Sequence, residues 1–470
     1  MAGDELAFAD AGTQAAAIAR KDVSSRELLD LFVARAEQLD EAVHAVITLD
    51  VERARDAAGR ADAATARGDS FGPLHGLPIT IKDAIETEGI RSTGGAIELT
   101  DHVPTADAPV VAQLRAAGAI VYGKTNLPRW SGDLQSYNEI FGTTNNPWDS
   151  ARVPGGSSGG PAAAVACGLT AFEVGTDIGG SIRIPSHFCG TFGLKPSYGV
   201  VPQRGYLDRV GGGSTDSDIN VFGPMARSAD DLAALLDVMA GPPPELAPAW
   251  RVELPAPRHT SLAGVRIAVK FEDPACGMDR GYLDVLRRTV DALADAGAKI
   301  EEARLPVPMA DQLALFNGLI LPAISPSMGD DVGEVVSGSH YSVLKRQVAR
   351  AKAQRAWAEW FASGIDAFLC PVTPTPAFPH NQDGDFTSRT YDVNGEQRPY
   401  LEHVTWTGLI GVVGLPSAVP PLPRTSGGLP VGVQVVTPYL HDRSAIALAA
   451  LIADAAGAAG GGYEPPPIAR

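Results

Sequence analysis

Two glycine-rich turns, at residues 155–160 and 177–181, most constrain what this chain can fold into, because each leaves a serine in backbone with few side chains around it. The first, Gly155-Gly156-Ser157-Ser158-Gly159-Gly160, runs directly into Pro161-Ala162-Ala163-Ala164-Val165-Ala166. That run predicts a helix opened by proline in its first turn and built of small residues, with Ser157 at its N-terminus. The second, Asp177-Ile178-Gly179-Gly180-Ser181, follows the apolar run 171–174, which predicts a short strand. Successive glycines there can turn backbone N–H groups into one concavity, an arrangement suited to a developing oxyanion. Glycine-serine clusters are more often plain loops. A linker, however, needs neither a strand and an alanine-rich helix between its glycine runs nor the charged pair Asp177 and Arg183 bracketing the second.

Read together, GGSSGG and GTDIGGSIR-x-PS-x-x-CG-x-x-GLKP resemble the signature of the amidase signature hydrolases, sharply over residues 72–200 and loosely after 225. The resemblance implies an α/β fold, a three-layer α/β/α sandwich with a central mixed β-sheet, in one domain over residues 1–470. It also implies a third catalytic group, a lysine at a strand end, and Gly76-Leu77-Pro78-Ile79-Thr80-Ile81-Lys82-Asp83 supplies Lys82. Lys82 precedes Ser157 by 75 residues, and Ser181 follows Ser157 by 24, spacings that agree with the family.

Cleaving an amide requires a nucleophile, a base, a proton for the departing amine and donors for the tetrahedral oxyanion. By the resemblance, Ser181 is the nucleophile and Ser157, with a cis Gly156–Ser157 peptide, passes protons between Ser181 and Lys82. The backbone N–H groups of Ile178, Gly179, Gly180 and Ser181 are the expected oxyanion hole. Lys82 must start neutral, so either burial among apolar neighbours or the catalytic hydrogen bonds must bring it below the ordinary lysine value near ~10.4. Asp177 and Arg183 are expected to hold the turn in shape, and Ser158 to be structural. No cofactor is implied.

Composition bounds the alternatives. With 45% hydrophobic and 20% charged residues the chain is that of a soluble globular protein. Its formal charge of −17 argues against a nucleic-acid partner. Cys167, Cys189, Cys276 and Cys370 lack C-x-x-C spacing and read as buried thiols of a reducing compartment. The acidic start and the absence of a long apolar run point to a cytoplasmic protein with no membrane partner, a monomer or homodimer. No histidine or acidic cluster has metal-ligand spacing.

Along the chain, periodicity predicts a helix over 24–40 behind a serine cap, a strand over 45–49, a helix through 66 and the strand bearing Lys82. Gly118-Ala119-Ile120-Val121-Tyr122-Gly123-Lys124-Thr125 satisfies the phosphate-loop pattern letter for letter. Its middle residues are themselves an apolar strand pattern, so nucleotide binding is rejected. Residues 130–148 read as a loop, which by the resemblance approaches the substrate. After a helix over 229–239, the proline-rich stretch 241–257 reads as a surface excursion, and strands and helices resume from 265. Residues 305–345 mix prolines with apolar runs and are a variable, substrate-selecting region or plain core. A long helix over 342–362, a strand over 367–371 and a closing strand and helix follow.

Other readings remain open at this level. Gly155-x-Ser157-x-Gly159 fits the nucleophile elbow of α/β-hydrolases, with His259, His380, His403 or His441 as base, though that leaves DIGGSIR without a task. The resembled fold also serves as the amidase subunit of tRNA-dependent amidotransferases, which usually carry glutamine where this chain has Ile184. The candidate pocket set is Gly156, Trp130, Tyr137, Phe141, Phe316, Leu319, Ile320, Leu321 and Trp406, which lacks a cation to clamp a carboxylate. The expected substrate is therefore a small neutral, apolar amide, an anilide above all, or a carbamate.

Overall fold

The computed structural model describes residues 3–384, 386–457 and 462–469. A small sheet comprises β1 (Val46–Leu49), β2 (Pro78–Lys82) and β3 (Ile120–Thr125), in the order β1-β3-β2. The central sheet has eight strands: β4 (Glu173–Asp177), β5 (Phe192–Lys195), β6 (Val221–Ala226), β7 (Arg266–Val269), β8 (Lys299–Glu302), β9 (Ala367–Cys370), β10 (Ser417–Val419) and β11 (Gln434–Val436). Their order is β8-β7-β9-β11-β10-β5-β6-β4. β8, β7 and β9 run parallel and the remaining pairings are antiparallel, so the sheet is mixed. With helices layered on it, this is the α/β/α sandwich implied by the signature stretch.

Local chemistry explains the elements. β2, β3, β4, β5 and β9 are buried along their whole length, as strands covered on both faces must be. The edge strand β8, Lys-Ile-Glu-Glu, is mostly exposed, and its charges discourage further pairing. Helix Ser25–Val43 opens on a capping box in which Ser24 and Glu27 satisfy each other's backbone N–H groups. Helix Ala229–Met239 spans the predicted residues and is capped by Ser228. The central sheet draws strands from both sides of 241–257, β4 to β6 before it and β7 to β11 after it.

The structure corrects one sequence expectation and supplies the elements of one stretch that had none assigned. The strand expected over 171–174 is β4, shifted onward to Glu173–Asp177 by its pairing with β6 from Glu173 opposite Met225 to Asp177 opposite Val221. Residues 305–345, to which periodicity assigned no element, are largely helical, with helices Met309–Ile324 and Asp330–Ser337. Pro322 sits near the end of the first of these, where it removes the N–H that would bond the carbonyl one turn back, and Phe316 and Leu319 on the buried face anchor the helix.

Candidate active site

Three elements converge on one point. β2 ends in Lys82, β4 ends at Asp177 immediately before the second glycine turn, and helix Gly159–Ala166 begins just after Ser158. The Ser158 N–H donates to the Ser181 carbonyl at 3.1 Å, joining the two turns. Such approach demands glycine: a Cβ on Gly156 would lie 2.5 Å from the Asp133 carbonyl oxygen, and one on Gly160 2.4 Å from the Asn126 nitrogen. The Gly156–Ser157 peptide is cis.

Lys82 Nζ donates to Ser157 Oγ at 2.7 Å, to Thr176 Oγ1 at 2.8 Å and to Ser158 Oγ at 3.0 Å. Lys82 and Ser157 are closed to solvent, whereas Ser181 keeps 7% of its surface exposed and its Oγ makes no hydrogen bond among the described residues. Burial pushes the Lys82 ammonium well below the ordinary lysine value, against the opposing charges of Asp177 and Glu173. The nearby Glu173 carboxyl is itself raised by burial, to about 7, although Thr125 Oγ1 donates to it at 2.7 Å. The lysine therefore sits among hydroxyls, with no carboxylate hydrogen-bonded to it. Ser158 and Thr176 were not singled out for this contact by sequence; both lie inside the two motifs, adjacent to Ser157 and Asp177.

Asp177 and Arg183 shape the second turn, as expected. Arg183 Nε and Nη2 bond the two Asp177 oxygens at 2.9 and 2.8 Å, with both side chains fully buried. Burial raises the Asp177 carboxyl, but the Arg183 charge and hydrogen bonds outweigh it and hold the group below its ordinary value. Removing one partner of such a buried pair costs about 3–5 kcal/mol, because the other charge is left unpaired. One part of the expected oxyanion hole needs correcting. The Gly180 N–H is turned back onto Asp177 Oδ1 at 2.8 Å, so it cannot serve an oxyanion in this arrangement. The N–H groups of Ile178, Gly179 and Ser181 make no hydrogen bond among the described residues.

The expected pocket residues separate into three groups. Phe316 and Ile320 stand at the second turn: a Cβ on Gly179 would lie 3.6 and 3.7 Å from their side chains and 3.8 Å from Val404, which sequence reasoning had not singled out. Tyr137 lines a cavity of about 420 Å³ with Ile97, Pro128, Asp133, Phe386 and Arg389. Its hydroxyl donates to Asp133 Oδ2 at 2.9 Å, and Arg389 Nη1 bonds the same oxygen at 2.7 Å. Gly156 backs onto this segment through the Asp133 carbonyl.

The remainder are placed elsewhere. Trp406 is fully buried in the main core, because helix Thr405–Gly411 packs its whole surface inward. Phe141 lies under the Arg91 guanidinium at 4.8 Å, and its carbonyl meets His44 Nε2. Trp130 packs with Ala96, Leu99 and Leu207, Leu319 is core, and Leu321 faces outward.

The elbow reading fails on geometry. Ser157 follows a loop instead of a strand, and Lys82 is what meets its hydroxyl. His403 is walled in by aromatic rings, stacked on Phe378 at 4.6 Å, and burial lowers it to about 3. His259 lies 3.0 Å from Asp366 and His441 faces Arg258. The phosphate-loop look-alike is strand β3, and its Lys124 Nζ is buried against the Ile85 carbonyl and Thr87 Oγ1.

Comparison with known proteins agrees with this geometry. The family described as Amidase matches residues 27–332 and 320–446. A glutamyl-tRNA(Gln) amidotransferase subunit from Roseiflexus sp. (strain RS-1) is 35% identical, covering 89% of this chain and 91% of its own. Its counterpart from Heliobacterium modesticaldum is 33% identical over the same shares. The name of these relatives describes a component of a larger enzyme, in contrast to the expectation of a chain whose only partner is a small molecule. Among solved structures, an amidase superimposes with a TM-score of 0.79 at 26% identity, covering 94% of this chain and 98% of that one. A 6-aminohexanoate cyclic dimer hydrolase does so with 0.82 at 25% identity, covering 99% and 100%. With the family match spanning most of its length and two linked glycine turns around a buried lysine, the chain belongs to the amidase signature family.

Proposed function

We propose that this chain hydrolyses the C–N bond of a neutral, apolar amide through an acyl-enzyme on Ser181. The observation that carries this reading is the buried Lys82 Nζ, 2.7 Å from Ser157 Oγ and hydrogen-bonded only to hydroxyls. A lysine stripped of water and of a bonded counter-charge, with its nitrogen set against a serine hydroxyl, is suited to be a base.

Ser181 Oγ attacks the carbonyl carbon while its proton passes to Ser157 Oγ, whose own proton passes to Lys82 Nζ. The oxyanion is received by the free N–H groups of Ile178, Gly179 and Ser181. As the tetrahedral intermediate collapses, the proton returns from Lys82 through Ser157 to the leaving nitrogen and the amine departs. Water then repeats the sequence on the ester, releasing the acid and restoring Ser181. The cavity lined by Tyr137 and backed by Gly156 is the proposed leaving-group side.

The apolar wall formed by Phe316, Ile320 and Val404 around Gly179 supports a substrate without charge next to the carbonyl, an anilide or an aryl carbamate. The 35% identity to one component of an amidotransferase supports a second reading, in which the chain acts on glutamine as part of a complex. A panel of an acetanilide, an aryl carbamate, a long-chain amide, glutamine and malonamate, given to the chain alone, separates them. Preference for the anilide or carbamate is expected. Preference for glutamine or malonamate overturns the apolar assignment, and glutaminase activity that appears only on adding partner subunits establishes the second reading.

A further inference from the structure

We propose that Thr407 is a positioning residue for the oxyanion-binding turn, fixing the peptide unit that lies between the free N–H groups of Gly179 and Ser181. The proposal rests on the amide-hydrolysis reading above. Thr407 is fully buried within helix Thr405–Gly411, and its Oγ1 donates to the Gly179 carbonyl at 2.7 Å, across 228 residues of sequence. A helical threonine ordinarily spends its hydroxyl on a carbonyl one turn back. Here that alternative, the Val404 carbonyl, is the longer contact at 3.3 Å.

The peptide unit between Gly179 and Gly180 is therefore held at both ends. Its carbonyl is bound by Thr407 Oγ1, and its N–H by Asp177 Oδ1 at 2.8 Å. The ring closes through Arg183, whose Nη1 donates to the Thr407 carbonyl at 2.9 Å and whose Nη2 bonds Asp177 Oδ1. Thr407 thus touches the turn directly through its side chain and, by way of Arg183, through its main chain. The clamp matters because the turn is soft: Gly179 and Gly180 carry no Cβ, and Gly180 has φ +121°, a region closed to most residues. If this peptide plane swings, the Gly179 and Ser181 N–H vectors on either side of it swing too. There is no spare room for a larger group, since a Cβ on Gly180 would come within 2.7 Å of Thr407 Oγ1.

Thr407→Val keeps the volume and removes the hydroxyl; Thr407→Ser keeps the hydroxyl. For Thr407→Val, kcat on the amide is expected to fall about 10- to 100-fold with KM within about 2-fold, on the scale of a misaligned oxyanion donor. Affinity for an arylboronic acid, which forms a tetrahedral adduct on serine, falls by the same factor, and Thr407→Ser restores both. Hydrogen exchange of the peptide spanning residues 177–183 should quicken in the valine variant alone. Should Thr407→Val not accumulate, Thr407→Ala is measured in its place and judged by the same outcomes. Wild-type kcat and boronate affinity in Thr407→Val, or a loss that serine does not restore, overturns the proposal. Absence of amide turnover and of Ser181 labelling in the wild type instead overturns the underlying reading, and the proposal with it.

Discussion

Lys82 Nζ lies 2.7 Å from Ser157 Oγ, although 75 residues separate them and both are closed to solvent. A strand end and a glycine turn are thereby locked at hydrogen-bonding distance in a place water does not reach. The ammonium loses its hydration there and gains only hydroxyl acceptors. That contact sets the expected behaviour of the site.

The exposure difference between the two serines predicts their roles. Ser181→Ala should abolish turnover and labelling by a fluorophosphonate, since the one solvent-reachable hydroxyl of the three groups is gone. Ser157→Ala should cut turnover while leaving a slow residual labelling, because the nucleophile survives without its proton path. Peptide mapping of the labelled protein reads the outcome directly; label on Ser157 with none on Ser181 would falsify the assignment.

Burial holds Lys82 well below the ordinary lysine value, so the neutral, basic form grows as pH rises through that lowered value. Activity should accordingly climb as pH rises towards the alkaline range. Lys82→Ala should impair an anilide by at least about 100-fold more than the matched nitrophenyl ester, whose leaving group needs no proton. Equal losses on the two substrates would remove the lysine from proton transfer.

The same shift has a consequence for stability. In the unfolded chain Lys82 binds its proton up to about pH 10.4, whereas in the folded chain it releases it earlier. Between those two values the unfolded state holds more protons, so stability rises with pH by up to about 1.4 kcal/mol per unit. Lys82→Met lacks this dependence. Thermal unfolding of both proteins between pH 7 and 10 should show the wild type gaining on the variant as pH rises. A constant difference across that range would mean that Lys82 keeps an ordinary lysine value in the fold.

Much of the site could be read before folding. Lys82, Ser157 and Ser181 stand in ordered motifs, and the Asp177–Arg183 bracket is visible as two opposite charges six residues apart. Elements with strong periodicity also emerged with little shift, as helix Ala229–Met239 shows. The misreadings fall where burial is decided by distant partners. Gly175, Thr176 and Asp177 carry no apolar pattern, and they become strand because Val221–Ala226 pairs with them. Trp406 reads as a pocket aromatic in isolation, yet its helix is inside the core.

What the sequence by itself determined is chemistry that depends on residue identity and local spacing: small residues where backbones must touch, serines in glycine turns, a lysine at an apolar strand end. Which atoms face one another was decided only by tertiary structure. Gly180 shows the division. Its lack of a side chain permits the turn, but the Asp177 carboxylate takes its N–H, so among the turn's expected donors those of Ile178, Gly179 and Ser181 stay free. Thr407 and Val404 reach the same turn from more than 220 residues away. A hydrogen bond or a wall contact needs angstrom proximity, and proximity across such a separation is set by how the sheet and its helices pack.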